Sequence, residues 1–196
     1  MKDKIIELLL STERKGIENL VQHMEENGFF TAPCSSQFHL CKEGGLAEHS
    51  LNVVTLMFDI AENLGFKEED KNNLIISGIL HDLGKMGQFG KPQYSENYLA
   101  SGKRSDKKPF ETNKNLLPVP HEIRSIQIAS QFIELTEEEN FAILYHNSLY
   151  GDLRYAYPGH ETALSMILHF ADLYCSRIIE KEEKEYLILI CRLLKY

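Results

Sequence analysis

The fold is organised around the sequence LIISGILHDLGK, residues 74–85. Its apolar first half predicts a buried helix, which we place over residues 69–83. Glycine is common just past a helix C-terminus, so Gly84 is the predicted end of this helix. Adjacent helical residues point about 100° apart. His81 and Asp82 can therefore converge on one point only where the helix stops.

An imidazole nitrogen beside a carboxylate is a common donor pair for a divalent metal ion. The two oxygens of Asp82 would also allow it to bridge two ions. The dipeptide alone is explained equally well as a solvated helix end. The rest of the chain has to decide between these interpretations.

The composition is that of one soluble domain. The chain has 196 residues, of which 43% are hydrophobic and 26% charged, which is ordinary for a globular protein. It contains no apolar run of about 18 residues and no signal-peptide pattern, so we expect a cytoplasmic protein without a membrane segment. The cysteines have no C-x-x-C spacing and are expected to be free thiols; they are Cys34, Cys41, Cys175 and Cys191.

The formal net charge is −8, and no basic stripe is visible. Proteins that bind duplex nucleic acid along their surface usually carry such a stripe, so we do not expect a duplex partner. A small anionic substrate held at a metal site fits this charge better, because bound cations can dominate the local field. A short single strand threaded to such a site is the alternative.

Helical periodicity covers most of the chain, and no strand pattern of useful length appears, which predicts an all-α helical bundle. Pro120 precedes one predicted helix, and Thr136 with Glu139 forms a capping box for the next. The irregular stretch 84–120 is long enough to be functional, and we expect it to face the substrate. The predicted helices are 3–27 with a break at 12–16, 46–64, 69–83, one opening at His121, one from Thr136 to His146, 160–179 and 180–196.

Six polar residues lie at predicted helix ends or on inward helix faces, and each is a type that binds metal ions. Helix bundles build metal sites from such inward side chains on facing helices. A buried carboxylate is costly without a partner, which makes Asp172 the least expected of them in a core. The six are His49, His81, Asp82, His121, His146 and Asp172.

The order of these residues resembles the HD-domain metal-dependent phosphohydrolase superfamily, whose pattern is His…His-Asp…Asp. The resemblance covers about residues 28–180 and rests on GGLAEHSLNV (44–53), HDLGK (81–85) and ADL (171–173). It implies a single HD-type helical domain. An N-terminal helix (1–27) and a C-terminal helix (180–196) would flank its core.

Two further segments, PHEIRS (120–125) and LYHN (144–147), resemble those that carry two extra histidines in the dinuclear subgroup. Pro120 and Glu122 stand where many phage and bacterial members have glycine. The chain is also similar to the HD part of bacterial 3′–5′ exoribonucleases. Their nucleic-acid-binding module has no counterpart in this sequence, so processive action on RNA is not expected.

The resemblance implies two divalent transition-metal ions, with Mn²⁺ or Fe²⁺ expected and Ni²⁺, Co²⁺ or Zn²⁺ as alternatives. Asp82 would bridge the ions, which would lie about 3.5–4 Å apart and stabilise a bridging hydroxide. One ion would bind His49, His81, Asp82 and Asp172, and the other Asp82, His121 and His146.

The function implied is hydrolysis of a phosphoester in a nucleotide, cyclic nucleotide or short oligonucleotide. Lys85 is a predicted catalytic residue with Asp82, either contacting a phosphate oxygen or orienting the carboxylate. His39 and His169 are left open as supporting residues. The predicted substrate-binding residues are Lys85, Arg124, Arg154, Tyr155 and Tyr157.

Two other functions remain open. One is a mononuclear nucleotidase or nucleoside-triphosphate phosphohydrolase, in which His121 and His146 contact substrate instead of metal. The other is a non-catalytic nucleotide-binding module. The number of ions bound per chain separates all three.

Overall fold

The computed structural model describes residues 1–151 and 153–181. Seven α-helices and one small antiparallel sheet form this part of the chain, so the predicted all-α class in a single domain is confirmed. The helices are α1 (Lys2–Ser11), α2 (Ile17–Glu26), α3 (Gly45–Leu64), α4 (Lys71–Leu80), α5 (His121–Ala129), α6 (Glu137–Tyr145) and α7 (Ala163–Tyr174), and the strands are β1 (Tyr94–Glu96) and β2 (Phe110–Thr112).

Helix α4 is the buried centre of the bundle. All its residues from Leu74 to Leu80 are buried, and it packs against α1, α3, α6 and α7. Gly78 allows a close approach to α3, since a Cβ there would lie 2.9 Å from Met57 Sδ and 3.0 Å from Val54 Cβ. This contact holds α3 and α4 side by side.

The end of α4 differs from the prediction. The helix stops at Leu80 instead of continuing to residue 83, and a 3₁₀ turn over Leu83–Met86 follows. Gly84 lies inside that turn, so the prediction that it ends the helix is wrong. A Cβ at Gly84 would lie 2.3 Å from the carbonyl oxygen of His121. The glycine is needed because α5 packs directly on the turn.

Ser125 of α5 stabilises the contact between α5 and the turn that contains Gly84. Its hydroxyl accepts the Gly84 N–H at 2.8 Å and lies 2.8 Å from the carbonyl oxygens of both His81 and His121. One buried side chain thereby ties the end of α4, the following turn and the start of α5 together.

The stretch 84–120 contains more regular structure than the sequence predicted. Strand β1 pairs with β2 in antiparallel register, and isolated bridges join Gln88 to Lys91 and Tyr98 to Arg104. Three-residue strands give too little alternation to be recognised as a period-two pattern.

The predicted break at 12–16 is confirmed, and a partly buried ion pair stabilises it. Arg14, in the turn between α1 and α2, donates to the Glu139 carboxylate of α6 at 2.8 Å and 3.0 Å. Glu139 also completes the predicted capping box with Thr136, which is confirmed. The N-terminal helices are therefore joined to the start of α6.

The predicted helix over 160–179 begins at Ala163, where Thr162 caps it, and ends in a π-helical turn over Cys175–Ile179. Of the predicted helix over 180–196, all but Glu180 and Lys181 lies outside the described residues. Cys191 lies there too, whereas the other three cysteines are free thiols. No helix in the described ranges is long and apolar enough to cross a membrane.

Candidate metal centre

Four histidines from four helices meet at one buried point. Three are fully or almost fully buried, whereas 26% of the His121 side chain is exposed. Neighbouring ring centroids are 4.9–5.2 Å apart. The four are His49 in α3, His81 directly after α4, His121 at the start of α5 and His146 directly after α6.

Backbone carbonyls orient two of these rings. His81 Nδ1 donates to the Gly78 carbonyl at 2.9 Å, and His146 Nδ1 donates to the Ile143 carbonyl at 2.7 Å. Helix C-termini leave carbonyls free for such bonds, which is why both histidines sit at helix ends. Donation from Nδ1 leaves Nε2 available as an acceptor or metal ligand.

Carboxylates lie behind the other two rings. His49 Nδ1 lies 2.9 Å from Glu180 Oε1, and His121 Nδ1 lies 3.2 Å from Glu122 Oε2. All four rings therefore turn Nδ1 outward and Nε2 toward the shared centre. Metal-binding histidines typically have their second nitrogen held in this way.

Asp82 lies between two pairs of histidines. Its Oδ2 is 3.5 Å from His49 Nε2 and 3.4 Å from His81 Nε2. Its Oδ1 is 3.2 Å from His121 Nε2 and 3.6 Å from His146 Nε2. Oδ1 is buried without a well-aligned hydrogen bond from the described residues. A cation beside it would satisfy this orphaned atom.

The separations within each pair suit a shared ion. His49 Nε2 lies 3.2 Å from His81 Nε2 and 3.1 Å from Asp172 Oδ1, while His121 Nε2 lies 3.2 Å from His146 Nε2. Donor atoms about 2.1 Å from one ion are about 3.0–3.5 Å apart in octahedral or tetrahedral coordination. The donor set is therefore consistent with the binding of divalent metal ions.

Electrostatics also favours a cation here. Burial alone would lower the pKa of His49, but hydrogen bonds to Asp172 and Glu180 raise it to about 10. The His49 contact in turn holds the pKa of Asp172 below its ordinary value, against the effect of burial. The two carboxylates therefore favour positive charge at His49, and a bound cation would compete with a proton for the Nε2 position.

Lys85 lies beside the bridging carboxylate. Its Nζ donates to Asp82 Oδ2 at 2.6 Å, and 16% of the side chain is exposed. Burial would raise the pKa of Asp82, but Lys85 and His81 hold it well below its usual range. The structure places Lys85 where it can both orient Asp82 and reach the surface.

A groove of about 430 Å³ opens beside His121 and Lys85. A smaller recess of about 80 Å³ lies beside Asp172 and His146, with Tyr150 and Arg177 at its rim. Seven residues of the stretch 84–120, which we expected to face substrate, line the larger groove. The residues lining it are Lys85, Gln93, Tyr94, Thr112, Pro118, Val119, Pro120, His121, Glu122, Asn147, Tyr150 and Gly151.

Two of the predicted substrate contacts are buried in the structure. Arg124 is 1% exposed, and its guanidinium donates to Gln88 Oε1 at 3.0 Å and to the Leu117 carbonyl at 2.8 Å. Tyr157 is 3% exposed, and its hydroxyl shares a hydrogen bond with Ser165 at 3.0 Å. Both side chains support the fold, and neither lines the groove.

Arg154 and Tyr155, two further predicted substrate contacts, pair with each other in the structure. The Arg154 guanidinium stacks on the Tyr155 ring at 4.5 Å and donates to its hydroxyl. Neither residue lines the groove or the recess. Their position in a loop beside His146 suggested substrate contact, but an aromatic or basic loop residue can equally turn to solvent.

Sequence reasoning missed Glu180, which is buried behind His49. Burial would raise the pKa of Glu180, but hydrogen bonds from His39 and His49 lower it to about 2. One signal was available, since Glu180 follows Asp172 by eight residues, a spacing that shares a helix face. His169, left open by the sequence, donates from Nδ1 to the His146 carbonyl at 2.7 Å and lines the recess beside Asp172.

A family model described as HD domain matches residues 46–177, which is more than half of the chain. Comparisons with curated proteins and with solved structures give no significant match.

Proposed function

Because the chain belongs to the HD-domain family, we propose that it is a metal-dependent phosphohydrolase of the dinuclear subgroup. The observation that supports this most is the position of Asp82. Its two oxygens face different pairs of histidines at 3.2–3.6 Å. A carboxylate shared in this way suits two ions about 3.5–4 Å apart.

The first ion would be held by four groups and the second by three. Mixed imidazole and carboxylate donors suit Mn²⁺ or Fe²⁺, with Ni²⁺, Co²⁺ and Zn²⁺ as alternatives. Such ions, when bound, supply an activated water and neutralise charge on the phosphoryl group. The ligands would be His49, His81, Asp82 and Asp172 for the first ion, and Asp82, His121 and His146 for the second.

Lys85 is the residue of this chain that we assign to the reacting phosphate. Its ammonium already contacts Asp82 and also lines the groove. If cations neutralise Asp82, the ammonium is freed to donate to a phosphate oxygen. Charge-assisted hydrogen bonds of this kind are about twice as strong as neutral ones.

The groove suits a small phosphoester such as a nucleotide, a cyclic nucleotide or a short oligonucleotide. Tyr94 and Tyr150 line it and offer aromatic faces for a base. The Arg177 guanidinium lies 5.9 Å from the Tyr150 ring at the rim of the recess. We therefore assign Arg177 and Tyr150 the substrate-binding role that the sequence had assigned to Arg154 and Tyr155.

One observation favours the mononuclear alternative. The side-chain amide nitrogen of Asn147 lies 3.2 Å from His121 Nε2 and 3.1 Å from His146 Nε2. In this arrangement the Asn147 amide can donate hydrogen bonds to His121 and His146, so neither ring needs a second ion. The two histidines could then contact substrate instead of metal. The amide would have to turn or move for an ion to bind both nitrogens.

Hydrolysis assays with Mn²⁺ test the proposal. We expect metal-dependent turnover of a phosphodiester such as bis(p-nitrophenyl) phosphate, lost in Asp82→Asn while the helical circular dichroism is retained. Asp59→Asn, on the exposed side of α3, is the matched control and should remain active. Turnover that persists in Asp82→Asn would refute the proposal. Nucleotide binding without turnover under any divalent ion would favour the non-catalytic module.

A further inference from the structure

Glu180 is a buried carboxylate on which three side chains converge. Its oxygens lie 2.9 Å and 3.1 Å from His49 Nδ1, and it also accepts a hydrogen bond from His39 Nδ1. Asn52 donates to it at 3.1 Å, and only 1% of the Glu180 side chain is exposed.

We propose that Glu180 is a positioning residue for His49, an inference that rests on the proposed function. By orienting that ring, it makes the site of the first ion the tighter of the two. The two ions would then load in order, the first before the second.

The argument begins with the chemistry of the acceptor. An ionised carboxylate can only accept hydrogen bonds, so His49 Nδ1 must carry the hydrogen that faces Glu180. His49 Nε2 then faces His81 and Asp172, where the first ion would bind. Partners of this kind fix the tautomer and orientation of a ligand and raise its basicity.

The other histidines are held less strongly. Neutral backbone carbonyls hold the rings of His81 and His146. His121 lies 3.2 Å from Glu122 Oε2, but its side chain is 26% exposed. Charged acceptors hold a donor more strongly than neutral ones, particularly in a buried site. Only His49 has both a buried charged acceptor and full burial.

The clustering of Cys34, His39 and His49 does not require a separate metal ion. These residues offer donor atoms within 4.8 Å of one another. However, His39 and His49 each direct Nδ1 at Glu180, and His49 Nε2 already faces the centre. His39 Nε2 lies 3.8 Å from Cys34 Sγ. His39 therefore acts as a second donor that holds the carboxylate in place.

Titration of the metal-free protein with Co²⁺ or Mn²⁺ tests the inference. Calorimetry gives the two affinities, and the visible absorption of Co²⁺ reports the geometry of each step. For Glu180→Gln we expect the tighter step to weaken by about 10–100-fold, as typical for loss of a ligand's supporting partner. The weaker step should be unchanged, and the Co²⁺ spectrum of the first step should shift.

Glu139→Gln is the matched control. Glu139 is equally buried, but it pairs with Arg14 and caps α6 away from the centre. Its substitution should lower thermal stability without changing either affinity. If Glu180→Gln does not fold, Asn52→Ala removes one donor to the same carboxylate and should weaken the tighter step by a smaller factor.

The outcomes separate the inference from the proposed function. Two binding steps with unchanged affinities in Glu180→Gln would overturn the positioning role while leaving the phosphohydrolase proposal intact. Equal weakening of both steps would also overturn it, because the effect would not be specific to His49. A wild-type protein that binds no divalent ion would refute the proposed function itself.

Discussion

Substitution of Gly84 by alanine should lower the stability of the protein and weaken metal binding on the His121 side of the centre. Gly84 lies in the turn after α4, where a Cβ would be 2.3 Å from the His121 carbonyl oxygen and 2.8 Å from Arg124 Cβ. Its φ angle is not in the left-handed region, so the new methyl group acts through contact alone.

The size of the effect follows from these distances. Carbon and carbonyl oxygen approach to about 3.3 Å even in close contacts. The gap between the turn and α5 must therefore open by about 1 Å. Overpacking of this kind costs about 1–3 kcal/mol, which lowers Tm by roughly 2–12 °C in a domain of this size.

The same movement would weaken binding at the proposed site of the second ion. His121 Nε2 lies 3.2 Å from Asp82 Oδ1. Two donors about 2.1 Å from a shared ion cannot be more than about 4.2 Å apart. An opening of about 1 Å takes this pair to that limit, so the weaker ion should be lost while the His49–His81 pair keeps its ion.

Thermal unfolding and metal titration of Gly84→Ala measure both effects. Gly102→Ala is the control, because that position has open space and a positive φ of +80°. It should lose some stability through backbone strain but bind metal normally. A Gly84→Ala protein with the wild-type Tm and two unchanged affinities would refute the reasoning from close contact.

Four further substitutions test individual assignments. Asp82→Asn should abolish turnover and remove the bridging ligand, seen as loss of both ions in elemental analysis; retention of both ions would contradict the bridging role. Arg177→Ala should raise KM with little change in Tm, whereas Arg124→Ala should lower Tm because its guanidinium is buried; a KM effect confined to Arg124→Ala would reverse these assignments. Tyr157→Phe removes one buried hydrogen bond to Ser165 and should cost about 1 kcal/mol in urea unfolding, with KM unchanged.

The sequence predicted the helices and the identity of the clustered histidines because both depend on local patterns. Apolar periodicity, the Thr136 capping box and Pro120 before His121 each specify a helix start or face without reference to the rest of the chain. Histidines at helix ends are visible from the same pattern. That these histidines meet at one site could be predicted only by assuming that the helices form a bundle.

Features that depend on contact between distant segments were not predictable in this way. Gly84 looks like a helix terminator in sequence, but its role is set by α5, some forty residues later. Arg124 looks like a surface cation, yet its guanidinium satisfies Gln88 and the Leu117 carbonyl in the interior. The neighbouring sequence does not distinguish this glycine from a helix terminator, or this arginine from a surface cation.

Glu180 shows the same limit at the candidate site. It opens a run of charged residues that is typical of a solvated helix face. Its burial arises because the turn after α7 brings it against His39 and His49 from the first third of the chain. Such pairing requires the fold to be known first.

The metal content of the protein tests the central claim most directly. The measurement is elemental analysis per chain, on protein purified without chelator and again after reconstitution with Mn²⁺. The account predicts about two ions per chain, falling to about one in His146→Ala. One ion that is unaffected by His146→Ala would contradict the dinuclear site and favour the mononuclear nucleotidase. No ion even after reconstitution would contradict the metal-dependent function altogether.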